Sequence, residues 1–252
     1  YEDVYISQKD GDKWGEPRNI GAPINTESHD ASVGLSPDGQ KLFLYRSHEK
    51  GENGLPGGDL YVSDWDGEKW SEPVKMQDGI NSGGREPSAI ITSDENILYF
   101  SSNRKGGKGS LDIYWAKRLP NGDWAHPKPI DAINTEYDDD APFIHSDGRT
   151  LYFSSKGHKT MGGYDIFRTI YNEETEEWSE PNNMGYPINT AGDDIYFVWS
   201  ADGKRGYFSS LRSDSYGEKD LYMVSVPQDG GTFAVIKGIV LDKETKQPVI
   251  AN

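Results

Sequence analysis

The chain has 252 residues and carries 26 Lys and Arg side chains against 42 Asp and Glu, which gives a formal net charge of −16. This acidity argues against a nucleic-acid partner and against docking on an anionic lipid surface, because both require concentrated positive charge. The lack of cysteine excludes disulfides, thiolate nucleophiles and cysteine-ligated zinc, and no apolar run approaches the length of a membrane span. The 29 Gly and 14 Pro residues favour an all-β protein with many turns.

Four short motifs recur along the chain with a period of about 54 residues. A Trp followed closely by Pro recurs at Trp14, Trp70, Trp124 and Trp178, in steps of 56, 54 and 54. An Asp-aliphatic-aromatic triplet begins at Asp3, Asp59, Asp112, Asp165 and Asp220. An Asp-containing turn recurs at Asp38, Asp94, Asp147 and Asp202, and an Ile-Asn-Thr/Ser segment recurs around Asn25, Asn81, Asn134 and Asn189. A period shared by four separate motifs indicates a repeat architecture.

Each period resolves into four short strands, as the second complete repeat illustrates. Residues 88–92 are apolar, and residues 97–101, beyond a turn, are rich in β-formers. A Gly-rich loop leads to a third predicted strand at 112–116, and Trp124 begins a shorter fourth strand. Pro127 removes a ladder donor from this fourth strand, which is therefore predicted at the edge of its sheet.

Four antiparallel strands per repeat predict the blades of a β-propeller, because stacking copies around an axis buries both faces of each sheet. We expect the Trp residues and Tyr-Phe pairs such as 99–100 and 152–153 to fill the space between blades. The motifs place complete blades near residues 30–77, 86–130, 139–184 and 194–226. Residues 1–20 supply only a third and a fourth strand of a further blade, whose two inner strands are expected upstream or from the other end of the chain. We therefore expect five blades, with six as the alternative.

The end of the chain differs from the repeats. The propeller is expected to occupy residues 1–230, and residues 231–252 are expected to form a linker and the first strands of another unit. The sequence from 236 onward, IKGIVLDKETKQPVIAN, has none of the blade motifs and predicts a strand, a charged turn and the start of a second strand. This pattern is typical of the opening hairpin of a small β-sandwich domain, truncated in this chain.

The SPDG turns, LYFSS strands, GG-x-DIY strands and W-x-x-P outer strands resemble the TolB-type, WD-like propeller repeat. The Ile-Asn-Thr segment followed by an acid is similar to the version of that repeat in OmpA-family outer-membrane proteins, and GIVLDKETKQPV is similar to the start of a carboxypeptidase-regulatory-like domain. A propeller followed by that domain resembles the PorE-like component of the type IX secretion system. The resemblance implies a periplasmic, outer-membrane-associated protein with partners in a secretion complex, which reaches peptidoglycan through a domain absent from these residues.

An acid lies eight residues before each turn aspartate. These acids begin the innermost strands, so a ring of blades would gather them around the mouth of the central channel. Convergent carboxylates could hold a structural Ca²⁺, the one cofactor considered, or receive a cationic side chain of a partner. Alternatively, each carboxylate accepts hydrogen bonds from its adjacent loop and fixes the geometry of its blade. The four acids are Asp30, Glu86, Asp139 and Asp194.

Basic residues in the loops between second and third strands are predicted to open on the same face as these acids. A mixed acidic and basic rim of loops on a rigid scaffold is typical of a binding surface. The alternative is a solvated surface with local ion pairs of little energetic weight. The basic residues singled out are Arg46, Arg104, Lys105, Lys156, His158 and Arg212.

The repetition of these residues favours a non-catalytic role, because acid/base chemistry needs groups in distinct environments. The G-x-S-x-G and H-E-x-x-H motifs and sialidase-type boxes are also absent from the sequence. The sequence therefore favours a protein-interaction scaffold of the bacterial cell envelope. The alternative is a glycan-binding or glycan-hydrolysing propeller that uses the axial carboxylates.

Overall fold

The computed structural model describes residues 2–11, 13–48 and 57–225, and these residues form strands, turns and bends without a helix. The strands build antiparallel sheets arranged as a β-propeller, which confirms the predicted fold class. In this part of the chain no helix is long and apolar enough to cross a membrane. The predicted second unit at 231–252 lies outside the described residues.

The strands fall into five blades, numbered in chain order. Blade one comprises β1 (Tyr5–Ile6), β2 (Lys9–Asp10), β3 (Lys13–Trp14) and β4 (Arg18–Asn19). Blade two comprises β5 (Asp30–Leu35), β6 (Lys41–His48), β7 (Gly57–Asp64) and β8 (Val74–Lys75). Blade three comprises β9 (Ala89–Ile91), β10 (Ile97–Ser102), β11 (Asp112–Lys117) and β12 (Lys128–Pro129). Blade four comprises β13 (Asp139–Ile144), β14 (Thr150–Ser155), β15 (Asp165–Asn172), β16 (Glu177–Trp178) and β17 (Asn182–Asn183). Blade five comprises β18 (Asp194–Trp199), β19 (Arg205–Ser210) and β20 (Asp220–Ser225).

Strands pair with their neighbours in chain order, from the innermost strand to the outer edge. Blades two and three are four-stranded sheets with the orders β5-β6-β7-β8 and β9-β10-β11-β12. In blade four the outer strand is split, because β16 and β17 both pair with β15. Blade five has the order β18-β19-β20 within the described residues. In blade one β1 pairs with β4 and β2 with β3, which matches the third and fourth strands predicted for it.

A capped turn joins the two inner strands of each of blades two to five. In blade two, Asp38 accepts hydrogen bonds from the Ser36 hydroxyl at 2.6 Å and from the Gln40 N–H at 3.1 Å, and Gly39 has a φ of 71°. Blades four and five also have Gly at this left-handed position, whereas blade three has Glu95 with a φ of 58°. The turn fixes the register, so alternate side chains of the inner strands face the two neighbouring blades.

The Asn of each Ile-Asn-Thr/Ser segment forms what we call the asparagine latch, a pair of hydrogen bonds to the third strand of the preceding blade. Asn134 Oδ1 accepts from the Ile113 N–H at 2.8 Å, and Asn134 Nδ2 donates to the Ile113 carbonyl at 2.9 Å. The same two bonds join Asn25 to Val4, Asn81 to Leu60 and Asn189 to Ile166. A side-chain amide thus pairs with a strand as a backbone amide would, and it ties each connecting segment to the blade that precedes it.

The core lies between neighbouring blades. The predicted aromatic pairs Tyr99–Phe100 and Tyr152–Phe153 are buried there, as expected. One face of each blade packs against the next blade: Leu60 of blade two, for example, joins a cluster with Leu98 and Phe100 of blade three. Burial of these large side chains supplies most of the driving force for stacking the blades.

A contact between Trp14 and Tyr207 joins blade one to blade five. Their ring centroids are 6.2 Å apart, with an angle of 77° between the planes. Trp178 of blade four and Tyr99 of blade three make the same edge-to-face contact, at 6.1 Å and 80°. Tyr99 and Tyr207 occupy equivalent positions in their second strands. The contact between blades five and one therefore repeats a contact between consecutive blades, and it closes the ring of five.

The outer strand of blade three is interrupted at Pro127. Trp124 forms an isolated bridge with Arg118 at the end of the hairpin, and the regular ladder is β12, opposite Tyr114 and Trp115. This agrees with the prediction of a short outer strand that Trp124 begins and Pro127 breaks, because Pro127 cannot donate to the ladder, which resumes only after it. The predicted edge position is confirmed by the strand order.

Candidate functional site: the loop face

The acids that begin the innermost strands lie at one end of the propeller, which we call the loop face. Antiparallel pairing brings the starts of the first and third strands of a blade and the end of its second strand to this same end. The face is built by the connecting segments 20–29, 76–85, 130–138 and 184–193 and by the loops 103–111, 156–164 and 211–219.

Each of the four predicted acids is buried in a corner between its strand and the preceding connecting segment. In blade two, Asp30 Oδ2 accepts hydrogen bonds from the N–H and the hydroxyl of Thr26, both at 2.7 Å. In blade five, Asp194 Oδ2 accepts the corresponding pair from Thr190 at 2.6 and 3.0 Å. This is the hydrogen-bonding role that the sequence offered as the alternative to an open acidic ring. The other two corners are formed by Glu86 with Ser82 and by Asp139 with Thr135.

In three corners an arginine occupies the other side of the acid. Arg46 Nε donates to Asp30 Oδ1 at 2.7 Å, and its Nη2 donates to the carbonyls of Pro23 and Ile24 at 3.1 and 3.0 Å. Because a guanidinium carries five donors in a fixed fork, one side chain crosslinks the acid and the connecting segment. Arg104 lies beside Glu86 and Arg212 beside Asp194, and both donate to carbonyls of the connecting segment as Arg46 does. Their Nε atoms donate to the hydroxyls of Ser102 and Ser210 instead of to the acid, and these hydroxyls donate to the acids.

The corner of blade four differs, because His158 takes the position of the arginine. The His158 Nε2 lies 2.8 Å from the Ile133 carbonyl, and no guanidinium adjoins Asp139. The buried Asp139 Oδ1 lacks a well-formed hydrogen bond, while Oδ2 accepts from Thr135. Desolvation raises the pKa of Asp139 to about 6; the nearby Ser155 hydroxyl, Thr135 and His158 act in the opposite direction without cancelling it.

Tyr196 lies on the innermost strand of blade five, and charged and aromatic side chains from distant parts of the chain act electrostatically on its phenol; we call this set the axial group. Its backbone has a φ of 62°, at a register shift of β18, and 47% of the residue is exposed. Desolvation by the surrounding protein raises the pKa of its phenol to about 12, with Asp140 adding to the effect. A left-handed conformation is strained for a bulky residue and is often retained at functional positions. The other members of the axial group are Glu2, Tyr45, Arg85 and Asp140.

Asp140 is held in this group by a network of hydroxyls. Its Oδ1 accepts hydrogen bonds from Ser88 at 2.7 Å, from Ser101 at 2.6 Å and from the Ala141 N–H at 2.6 Å. Ser88 and Ser101 belong to blade three, so this carboxylate also joins blades three and four. The network fixes one oxygen of Asp140 and leaves Oδ2 outside these bonds.

The predicted basic residues are divided between the corners and the open loops. Lys105 and Lys156 are exposed, and the Lys156 Nζ lies 3.0 Å from Asp138 Oδ2 and 4.5 Å from the centre of the Tyr164 ring. Arg46, Arg104, His158 and Arg212 all take part in the corners described above. A binding role for these residues stays a prediction.

Several exposed side chains on the loop face were missed by the sequence analysis. Tyr137, Met161 and Tyr216 project from polar loops. The only signal in the sequence was a large apolar or aromatic side chain inside an otherwise polar loop. Tyr196 had a clearer signal, because two residues after the acid the other blades have Ser or Ala.

Metal binding is not supported by any side-chain group in the described part of the chain. There, no three His, Asp or Glu side chains are grouped so that they could hold a metal ion. The structural calcium considered from the sequence stays a prediction.

Comparison with known proteins gives similarities of fold. No family model and no curated protein matches the sequence. Among solved structures, TolB from Acinetobacter baumannii is 15% identical with a TM-score of 0.51, over 88% of this chain and 45% of that chain. An α-L-arabinofuranosidase from Lactobacillus brevis is 16% identical with a TM-score of 0.50, over 88% and 84%. The tricorn protease is 12% identical with a TM-score of 0.51, over 89% and 25%.

At these identities the comparisons establish the fold alone. They support the TolB-type propeller that the repeat predicted. This chain spans less than half the length of the TolB and tricorn protease chains.

The expectation that the chain has no catalytic activity, which rested on the repetition of its residues, is wrong. The same fold occurs in an α-L-arabinofuranosidase and in the tricorn protease, so a repeated propeller is no argument against catalysis. The structure also supplies the physical reason. The four corners are not uniform, because His158 takes the position of the arginine beside Asp139 and the pKa of this buried acid is raised to about 6.

Proposed function

We propose that the protein is a protein-interaction scaffold of the bacterial cell envelope and that the loop face binds its partner. The observation that carries this proposal is the exposure of Tyr137, Met161 and Tyr216 on one face, beside Lys105 and Lys156. Large side chains that stand on short loops of a rigid scaffold are typical of the residues that dominate the binding energy of an interface. The crosslinked corners beneath them hold the loops in place, which lowers the entropy lost on binding.

The proposal also covers the localisation of the protein in the cell. Resemblance of the repeat to OmpA-family proteins, and of the predicted domain order to the PorE-like component of the type IX secretion system, supports a periplasmic position at the outer membrane. The partners would be envelope proteins of a secretion assembly, with peptidoglycan bound by a domain outside these residues.

Partner capture from envelope extracts tests the proposal. The wild-type protein should retain a defined partner, identified by mass spectrometry, and the combined Tyr137→Ala, Met161→Ala and Tyr216→Ala variant should lose it. A matched variant with Val74→Ala and Leu119→Ala changes two exposed side chains away from this face and should retain the partner. Equal capture by all three proteins, with unchanged circular dichroism, would contradict the role of the loop face.

A glycan-binding or glycan-hydrolysing propeller is the second candidate, and the axial group favours it. Asp140 and Tyr45 both act electrostatically on the Tyr196 phenol, and an aromatic ring within range of a carboxylate suits a sugar, whose apolar faces stack and whose hydroxyls donate. The shared fold with an α-L-arabinofuranosidase makes arabinose-containing glycans the first substrates to try. Turnover or binding that is lost in Asp140→Asn and kept in the neighbouring Asp138→Asn would favour this function over the first.

A further inference from the structure

Asp140 is a buried carboxylate without a cationic partner. The residue is 5% exposed, and within the described ranges no ion pair joins it to a Lys, Arg or His side chain. Its Oδ1 accepts hydrogen bonds from Ser88, Ser101 and the Ala141 N–H, whereas Oδ2 accepts none from these ranges. Oδ2 is also not one of the fully buried atoms that lack a partner, so it stays in contact with solvent. An ionised carboxylate in such a place is costly unless a cation joins it.

The corners show how this protein holds a guanidinium. In blade three, Ser102 donates to Glu86 at 2.7 Å, and Arg104 Nε donates to the Ser102 hydroxyl at 2.9 Å. The Arg104 guanidinium also lies 4.9 Å from the ring centres of Phe100 and Tyr114. A buried acid, a serine hydroxyl that donates to it and aromatic rings thus surround the cation. The corresponding residues of blade five are Asp194, Ser210, Arg212, Phe208 and Tyr222.

The axial group has the same parts as these corners except for the guanidinium. Serine hydroxyls donate to Asp140, as they do to the corner acids Glu86 and Asp194. The Tyr196 phenol is within electrostatic range of Asp140, and 47% of Tyr196 is exposed, so its ring is open to a ligand. The cation that completes the corners has no counterpart beside Asp140 among the described side chains.

The backbone at Tyr196 points to a ligand as well. Tyr196 has a φ of 62° at a register shift of β18, and Ala141 has a φ of 51° at the corresponding shift of β13. Ala141 is buried, whereas Tyr196 places a large ring at a position where a left-handed backbone is costly. Such shifts re-aim side chains, and strained positions of this kind cluster at ligand-binding sites.

We propose that the axial group binds an arginine side chain of the partner protein, whose guanidinium pairs with Asp140 Oδ2 and stacks on the Tyr196 ring. A guanidinium suits this place better than an ammonium, because it is planar, weakly hydrated and stacks on aromatic faces. The formal net charge of −16 also attracts a cationic segment before contact is made. The inference rests on the proposed interaction role and names the chemistry of the partner, a loop or chain end that projects an arginine.

Arg85 is the cation of the axial group, and it separates this ligand from others. Its side chain is exposed and forms no ion pair within the described ranges. It lowers the pKa of the Tyr196 phenol, whereas Asp140 raises it. Removal of this charge should therefore favour a cationic ligand and disfavour an anionic ligand or a sugar that accepts its hydrogen bonds.

An NMR titration of the protein, with isotope-labelled tyrosine rings, tests the proposal with N-acetyl-arginine amide as the probe. We expect saturable shifts of the Tyr196 ring resonances, which Tyr196→Phe assigns. N-acetyl-citrulline amide has the same shape without the charge and should not bind, and N-acetyl-lysine amide should bind more weakly than the arginine probe. Absence of saturable shifts at Tyr196, or equal binding of the citrulline and arginine probes, would overturn the proposal.

Four variants locate the site. Asp140→Asn should weaken binding of the arginine probe by at least about tenfold, as for loss of a charge-assisted pair. Tyr196→Gly suits the left-handed backbone but removes the ring, and it should weaken binding about threefold with unchanged circular dichroism. Arg85→Gln should instead strengthen binding about twofold. Asp78→Asn, a matched loss of an exposed acid from the connecting segment 76–85, should leave binding unchanged.

The outcomes separate this inference from the two proposed functions. Equal binding of the arginine probe to wild type and Asp140→Asn, or weaker binding to Arg85→Gln, would contradict the inference. Binding of L-arabinose instead of the arginine probe, lost in Asp140→Asn, would assign the axial group to a sugar and so exclude it too. Partner capture that is lost in the combined loop-face variant but kept in Asp140→Asn would remove only this inference and leave the interaction role standing.

Discussion

One residue, His158, separates the corner of blade four from the other three corners. The arginines of those corners carry a permanent charge beside a buried acid, whereas the His158 Nε2 lies at the Ile133 carbonyl and Asp139 is left without a guanidinium. An isolated buried carboxylate is costly in its ionised form. The raised pKa of Asp139, about 6, is the consequence.

His158→Arg should stabilise the protein, and the gain should depend on pH. Because the folded-state pKa of Asp139 exceeds its ordinary value of 3.8, this group favours folding below about pH 4, and that contribution is lost as the pH rises through 6. An arginine would pair with the ionised carboxylate and lower its pKa. We expect a gain of about 2 kcal/mol above pH 7 that shrinks towards pH 4, measured by urea unfolding across this range.

Two variants control for the loss of the histidine itself. His158→Gln removes the imidazole without adding charge and should not give the gain at neutral pH. Arg104→His introduces the histidine corner into blade three and should destabilise that protein at neutral pH. A gain in His158→Arg that is the same at pH 4 and pH 8 would contradict the assignment to Asp139.

At the scale of the element, the turn between the two inner strands of blade three places a residue with a side chain in a left-handed backbone conformation. Glu95 has a φ of 58° where the other turns have Gly, and a left-handed L-residue costs roughly 1–2 kcal/mol. Glu95 also forms an ion pair with Arg118 at 3.2 Å. Because this ion pair is partly exposed, it stabilises the protein by less than the left-handed backbone costs.

Comparison of Glu95→Gly with Glu95→Ala isolates the free-energy cost of the left-handed backbone at this position. Both variants lose the ion pair, but only Gly relieves the backbone. We expect Glu95→Gly to be more stable than Glu95→Ala by about 1 kcal/mol in denaturant unfolding. The reverse change Gly148→Glu in blade four should destabilise by a similar amount, and equal stabilities of the two Glu95 variants would show that the turn is not strained.

The asparagine latch is the second element-scale feature with a measurable consequence. Asn134→Leu keeps similar volume but leaves the Ile113 N–H buried without its partner and removes one of the two donors to the Ile113 carbonyl, which also accepts from the Ile130 N–H. We expect a loss of about 2–4 kcal/mol in the free energy of unfolding. Asn121→Leu, in an exposed turn, should cost about 0.5 kcal/mol or less, so similar losses in both variants would contradict the latch.

For the whole molecule, the contact between Trp14 and Tyr207 should govern the coupling between the ends of the ring. Trp14→Ala removes an aromatic pair worth about 0.5–1.5 kcal/mol. We expect faster hydrogen exchange in β1, β4 and β19, with little change in blade three. Trp178→Ala should instead affect blades three and four, because it removes the equivalent contact. If hydrogen exchange became uniformly faster in all blades of both variants, the ring would not open at the contact between blades five and one.

The repeat made most of the fold predictable, because its motifs are local. Turn aspartates, strand-starting aspartates and alternating apolar residues each act within a few positions of the chain, and the strands predicted at 97–101 and 112–116 agree closely with β10 and β11. The outer strand was less predictable, since Trp124 and Pro127 act in opposite directions on the ladder.

The functional surfaces were less predictable, because they depend on contacts between distant positions. The burial of Asp30 follows from Arg46 and the carbonyl of Pro23, which the fold brings together across two loops. The exposure of Tyr196 depends on a register shift and a left-handed backbone.

The asparagine latch also bears on how such a ring can change over evolutionary time. Asn81 reaches back to Leu60, and the acid at Glu86 is bound by Ser82 and Arg104, so the latch and the corner are both formed within one stretch of the chain. A duplicated stretch would therefore carry its own latch and corner hydrogen bonds and need no compensating substitution elsewhere. Duplication or deletion of such a stretch could add or remove a blade in a single event. The number of blades would then be limited only by how well the first and the last blade pack against each other.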